Sequence, residues 1–391
     1  MRIAIFIKRT TFHKGFGGLE TQNKLLCEGL AERGHDVTVF SPKLEIETRR
    51  KTENGVDYVF VPCVFRSLFA GIIKDHWYNR SYEAYALYKL SQPFDLIISQ
   101  SSAGIGILKH KKDIDVPFVS ISHGSALMEL KTVLENIYTF KDFLKALFQV
   151  PYMLFNILFK QRFFIHNSDK IIAVSNYVAK TLSIETQSPK DKFYVVQNGI
   201  KPIVNSSLLN PSSTNLLYLG QIQRSKGLDY LIQLVQDPLF KDVHIDVVGG
   251  GDYLEEFKAK LTKLGINSFF TVHGKVDYDK ALFFYSNASV FLFPTKRYEG
   301  LPMVLVEAMF NELPIVAFNK GGVADVIDEG ETGYLVKSGN FKKFKKNLLK
   351  LMQNHELCES MRVKSLEKAE KDFTIEHMLD EYEQVFEGIS K

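Results

Sequence analysis

Short apolar runs rich in β-branched residues alternate with helix-periodic stretches along almost the whole chain. That alternation is what parallel sheets built from strand–helix units require. A first series of strands is expected at 3–7, 37–40, 58–61, 96–99, 118–122 and 170–174. A helix over 20–32 stops at Arg33-Gly34, as helices often do. A second series is expected at 216–219, 244–248, 269–273, 290–293, 315–318 and 333–336. Helices starting near Gly227, Tyr253, Tyr278, Pro302 and Phe341 connect them, and a charged helical pattern over 372–389 closes the chain. The polar stretch 205–215 between the two series reads as a linker.

At 391 residues the chain is too long for one ordinary core. The pattern predicts an α/β protein of two doubly wound, Rossmann-like domains facing across a cleft. The expected bounds are 1–204 and 205–371, with 372–391 a helix packing back on the first domain. In such sheets ligands sit beyond the carboxyl ends of the strands, so the cleft is the expected binding place.

A hydrophobic fraction of 45% and a charged fraction of 24% are those of a soluble globular protein. Cys27, Cys63 and Cys358 lie far apart without metal-type spacing, which suggests reduced thiols and the cytosol. The opening MRIAIFIKRT reads as a first strand and not a signal peptide, because charge interrupts the apolar run at once. Residues 1–200 carry a net charge of +7 and residues 201–391 of −3. A basic first half suits an anionic partner, or is a surface without such a role. The strongly apolar uncharged run 146–159 is too short to cross a bilayer and contains Pro151. With Phe140, Phe143, Phe163 and Phe164 around it, it reads either as a helix lying on a membrane surface or as a buried connecting helix. No clean polar face decides between them.

Four strand-to-helix junctions carry residues suited to chemistry. In EGLPMVLVEAM, 299–309, Glu307 stands among Val304, Leu305, Val306, Ala308 and Met309. A carboxylate in such company is costly to bury without partners. It can accept two hydrogen bonds from a vicinal diol, such as that of a ribose. Glu299 lies in the loop at the helix mouth with Gly300, Leu301 and Met303, and Pro302 suits a first helical position. The free N–H groups of residues 301–303 would then form an anion site. The plainer readings are a solvated helix face for Glu307 and a polar turn for Glu299. In YLGQIQRSKG, Arg224 and Lys226 precede a helix and suit a diphosphate, although basic turn residues are common. Gly15, Gly17 and Gly18 separate the first strand from the first helix, where glycines let backbone approach a ligand. Their spacing is not the dinucleotide fingerprint, and Ser41-Pro42-Lys43 stands where that fingerprint wants an acid. Gly250 belongs to a further glycine turn, VVGGGDY, which is commonly just a strand–helix turn. His123 follows a strand in VSISHGSA, at a strand end but otherwise a type that is usually structural. Asp277-Tyr278-Asp279 looks like an acidic metal motif but sits at a helix start, where Asp is a cap. No Ser or Cys nucleophile stands in a recognisable setting.

Taken together, GGLE with RGHDVTVF, SHG at 122–124, VVQNGI, QIQRSKG, VVGGGD, EGLPMVLVE and GGVADVIDEGETGYLV closely resemble the retaining glycosyltransferases of family 4, of the GT-B fold. The resemblance covers nearly the whole chain. It implies a transfer of a hexose from a nucleotide-sugar donor, UDP-linked, to a glycan or polyprenyl-diphosphate-linked acceptor in surface polysaccharide synthesis. It implies that Arg224 and Lys226 bind the donor diphosphate, that Glu307 holds the ribose hydroxyls, and that Glu299 and His123 contact the donor sugar. Gly17 and Gly18 would lie against the diphosphate. Enzymes of this kind need no metal and no cofactor. The Phe-rich segment fits work on lipid-linked acceptors at the inner membrane face. Gln197, Lys201 and the EGLP in place of a commoner E-G-F-G depart from the family's usual pattern. The alternatives are a nucleotide-sugar 2-epimerase on the same fold, or a nucleotide-sugar-binding protein without catalysis. A NAD oxidoreductase lacks its fingerprint, and no basic-aromatic stripe supports nucleic-acid binding.

Overall fold

The computed structural model describes residues 1–15, 17–44, 49–64, 74–201 and 214–389. Most of the expected linker, 205–213, lies outside the described residues. The chain divides into two compact units.

The first unit comprises Met1–Leu127, Pro151–Ile200 and Ile375–Lys391. Its sheet runs Arg50–Glu53, Val56–Val61, Asp36–Pro42, Arg2–Phe6, Leu96–Gln100, Phe118–Ser122, Lys170–Ala173, Phe193–Val195. Every pairing is parallel except the hairpin between the first two. Ile3, Ile5, Val39, Ile98 and Ile121 are fully buried, as strands covered on both faces require. The closing helix Ile375–Glu387 contributes Met378, Leu379 and Tyr382 to this core.

Two strands escaped the reading of the sequence. Phe193–Val195 is only three residues long. Arg50–Glu53 is RKTE, without apolar character, and it pairs through Asn54-Gly55, both left-handed at φ 49° and 76°. That is the dipeptide that favours a tight hairpin, so the turn, not the strand, carried the signal.

The second unit comprises Met128–Val150 and Lys201–Thr374. Its six strands are all parallel, in the order Phe270–Gly274, His244–Val248, Asn215–Leu219, Val290–Phe293, Ile315–Asn319, Gly333–Lys337. This is the 3-2-1-4-5-6 order of a Rossmann domain. Helices Leu228–Val235, Leu254–Leu264, Tyr278–Asn287 and Met303–Phe310 connect successive strands.

Helix Phe140–Phe155 runs through Pro151 instead of breaking there, and a π-turn, Asn156–Gln161, follows it. Of the phenylalanines grouped there, Phe140 and Phe143 are exposed and Phe164 is buried. No helix among the described residues is long and apolar enough to cross a membrane.

Candidate functional site

Three loops of the second unit, each leaving the carboxyl end of a strand, meet around Glu299. The first follows Asn215–Leu219 and carries Arg224-Ser225-Lys226 as one turn of 3-10 helix. Gly227 ends it at φ 79°, and a Cβ there would stand 1.9 Å from the carbonyl oxygen of Pro294. Only glycine lets the two loops touch. Gly227→Ala is therefore expected to destabilise the protein by about 2 kcal/mol or more, read by urea unfolding, and to displace Lys226.

The second loop, after Val290–Phe293, carries Glu299, which is 8% exposed. Lys226 Nζ donates to Glu299 Oε1 at 2.7 Å, and Thr295 Oγ1 donates to the same oxygen at 2.9 Å. The ion pair is largely shielded, with 15% and 10% of the two side chains exposed. The third loop, after Ile315–Asn319, packs Gly321 on Glu299: Gly322 N–H donates to the Glu299 carbonyl at 2.8 Å. Gly321 is at φ 68°, and a Cβ would meet that carbonyl oxygen at 2.3 Å.

Helix Ala126–Glu135 holds the same loop from another side. Thr132 Oγ1 accepts from Tyr298 N–H at 3.1 Å, and Glu135 accepts from the Tyr298 hydroxyl at 2.7 Å. Glu129 pairs with Arg297, and Glu135 with Lys320. Residues 129, 132 and 135 recur every three positions and so share one helix face.

Arg224 does not reach Glu299. Both of its contacts run from Nη2 to the Glu256 carboxylate, at 2.5 and 2.6 Å. Its guanidinium lies over the Tyr253 ring, 5.4 Å from the centroid. Nη1 and Nε keep their own donor capacity.

Pro302 is the cap of helix Met303–Phe310 instead of its first residue. Proline has no N–H, so the donors at this helix end come from Met303 and Val304, not from 301–303 as a set. Glu307 is one turn further in. Its flanks Leu305, Val306, Ala308 and Met309 are buried. Tyr285 OH donates to Glu307 Oε2 at 2.8 Å. Burial pushes the Glu307 carboxyl up to about 7, against a smaller lowering by the Tyr285 hydrogen bond. Oε1 has no such partner among the described residues. Leu301 is buried at 8% and Gly300 is partly exposed.

The glycine turn 249–251 packs on the Arg224 loop, and the Gly250 carbonyl accepts from Ile222 N–H at 3.0 Å. Asp277 caps helix Tyr278–Asn287 in position only, because its side chain makes no capping hydrogen bond.

In the first unit, Gly17 caps helix Gly18–Glu32, and Glu20 reaches back to the Gly17 N–H at 2.8 Å. A Cβ on Gly18 would meet nothing within 4 Å, so the protein's own packing does not demand glycine there. His123 Nε2 pairs with Gln100 Oε1 at 2.8 Å, and burial lowers its pKa to about 4. The ring is neutral near pH 7.

Sequence reasoning named none of Thr295, Tyr285, Gln100 or Glu135. Tyr285 precedes Glu307 by 22 residues and sits on another helix, so no local spacing joins them. Thr295 lies two residues past the strand Val290–Phe293 that leads to Glu299, and a hydroxyl at that point was the one available signal.

The model for group 1 glycosyl transferases matches residues 200–368, and that for glycosyltransferase family 4 matches residues 16–202. The chain is a family 4 glycosyltransferase of the GT-B fold. An uncharacterized glycosyltransferase of Methanocaldococcus jannaschii is 27% identical over 77% of this glycosyltransferase and 77% of its own length. The capsular polysaccharide biosynthesis glycosyltransferase CapM of Staphylococcus aureus is 29% identical over 44% of this chain and 46% of its own. Among solved structures, the sucrose-phosphate synthase of Thermosynechococcus elongatus superposes with a TM-score of 0.77 at 17% identity, over 99% of this chain and 98% of that one. HepE of Anabaena, in complex with UDP-glucose, superposes with a TM-score of 0.74 at 15% identity, over 99% and 100%.

Proposed function

We propose that this glycosyltransferase moves a hexose from a UDP-sugar to a glycan or polyprenyl-diphosphate-linked acceptor, with retention of configuration and without a metal. The Lys226–Glu299 pair carries the reading: a cation and a carboxylate held at 2.7 Å by three strand-end loops. The UDP-glucose bound to HepE and the capsular role named for CapM support the donor and the surface-polysaccharide setting.

In this mechanism Lys226 and the remaining donors of Arg224 offset charge on the departing diphosphate, with the Met303 and Val304 amides behind them. Gly17 and Gly18 lie against the same diphosphate, and Gly250 lines the turn beside it. Glu307 Oε1 receives the ribose hydroxyls while Tyr285 fixes the other oxygen. Glu299 and His123 contact the sugar, the neutral imidazole through a hydrogen bond. The bond from the sugar C1 to the phosphate oxygen breaks through an oxocarbenium-like state. The acceptor oxygen bonds to C1 on the same face, and its proton passes to the phosphate oxygen that leaves. The transfer takes place in the cytoplasm at the inner membrane face.

Thermal stability with UDP, GDP, ADP or NAD, each in magnesium or EDTA, tests the reading. UDP at 100 times its dissociation constant is expected to add about 2.7 kcal/mol in EDTA. Glu307→Ala and Arg224→Ala are expected to abolish the shift. A shift with GDP alone changes the donor, and one that needs magnesium removes the metal-free mechanism. No shift with any nucleotide favours a non-catalytic protein.

A further inference from the structure

Helix Phe140–Phe155 and the turn Asn156–Gln161 leave ten large apolar side chains in solvent, from Phe140 (75% exposed) through Phe148 (81%) to Phe159 (60%). Phe140, Phe143, Leu144, Leu147 and Phe148 recur at three- and four-residue steps, so they form one stripe along the helix. Ala146 and Ile157 on the other side are buried, which fixes the stripe outward. An apolar stripe of this length on a soluble protein marks an interaction surface.

Four of the five charged residues over 140–162 are positive. Lys141 and Lys145 are exposed, and Lys160 and Arg162 follow, partly exposed. Asp142 is the one acid over 140–162. Its carboxylate is occupied by Thr139, accepting from the backbone N–H at 3.0 Å and the hydroxyl at 2.7 Å.

We propose that this face docks on an anionic lipid surface. The aromatic and leucine side chains enter the boundary between headgroups and acyl chains, and the lysines meet lipid phosphates. A second copy of the chain is a poorer occupant: a symmetric pair through this stripe would bring the flanking lysines of both copies together. The docking face uses none of the residues assigned to sugar transfer, so it stands independently of that reaction.

Flotation of the full chain with phosphatidylcholine vesicles, with and without phosphatidylglycerol, tests it. Binding is expected to the anionic vesicles, weaker to the neutral ones, and falling with salt. Lys141→Glu with Lys145→Glu should lower anionic-vesicle binding at least about tenfold. Leu147→Ser, Phe148→Ser and Phe155→Ser together should abolish binding to both, while the fold and the UDP-induced thermal shift persist, because these side chains are exposed. Failure to float with either vesicle overturns the proposal, as does unchanged binding by the triple variant. A concentration-dependent dimer that the triple variant dissolves would give the face to a second copy instead. A lost thermal shift in the wild type, with flotation intact, would count against the transfer reading alone.

Discussion

Replacing Lys226 by Met should cost about 3 kcal/mol of stability, because it strands the Glu299 carboxylate in a largely buried position. Thr295 would remain as its hydrogen-bond donor, which is too little to offset a lone charge. Glu299→Gln removes that charge and keeps the shape, so the double variant Lys226→Met/Glu299→Gln should recover much of the loss. A coupling of about 2 kcal/mol between the two sites is expected from urea unfolding of the four proteins. Activity should behave differently. Transfer should fall about a thousandfold in Lys226→Met and stay low in the double variant, since the departing diphosphate then loses one of its two cations. If stability and transfer recover together, the pair is structural and the proposed role of Lys226 is wrong.

The second large effect is a pH dependence set by Glu307. Its folded pKa of about 7 lies above the ordinary 4.5, so between those values the folded chain holds a proton that the unfolded chain has released. The unfolded state then binds fewer protons, and stability falls as pH rises. This contribution is fully present below 4.5 and is gone above 7, a change on the order of 3 kcal/mol. Urea unfolding from pH 4.5 to 8 should show the slope in the wild type and a flatter curve in Glu307→Gln. UDP binding should have the opposite trend. A ribose diol donates to the ionised carboxylate, so affinity should rise about tenfold from pH 6 to 8, beyond any rise seen in Glu307→Gln. Equal profiles in the two proteins would remove Glu307 from the ribose site.

Much of the fold was legible because parallel strands covered on both faces leave long β-branched runs, such as IVAF at 315–318. The strands that escaped notice are those without such burial. Arg50–Glu53 is an edge strand of mostly charged residues, and Phe193–Val195 has no fully buried residue. Glu307 stood out for the same physical reason: a carboxylate in an apolar helix contradicts the pattern around it. Apart from the family resemblance, His123 was legible only as a polar residue at a strand end and Lys226 as a basic turn residue before a helix. Their partners Gln100 and Glu299 are 23 and 73 residues away, and no periodicity spans such distances.

By itself the sequence determined the alternation of strands and helices, the strand ends at which polar residues cluster, and the family. These follow from local hydrophobic periodicity and from short motifs, both carried by neighbouring residues. Tertiary structure decided which residues meet. It paired Lys226 with Glu299, turned Arg224 to Glu256, set Tyr285 against Glu307, and tied the Glu299 loop to Thr132 and Glu135. It also decided that the Phe140–Phe155 helix shows its apolar side to solvent. Amphipathic spacing says that a helix has an apolar face, but burial depends on whether another element packs there, and that is a property of the whole fold.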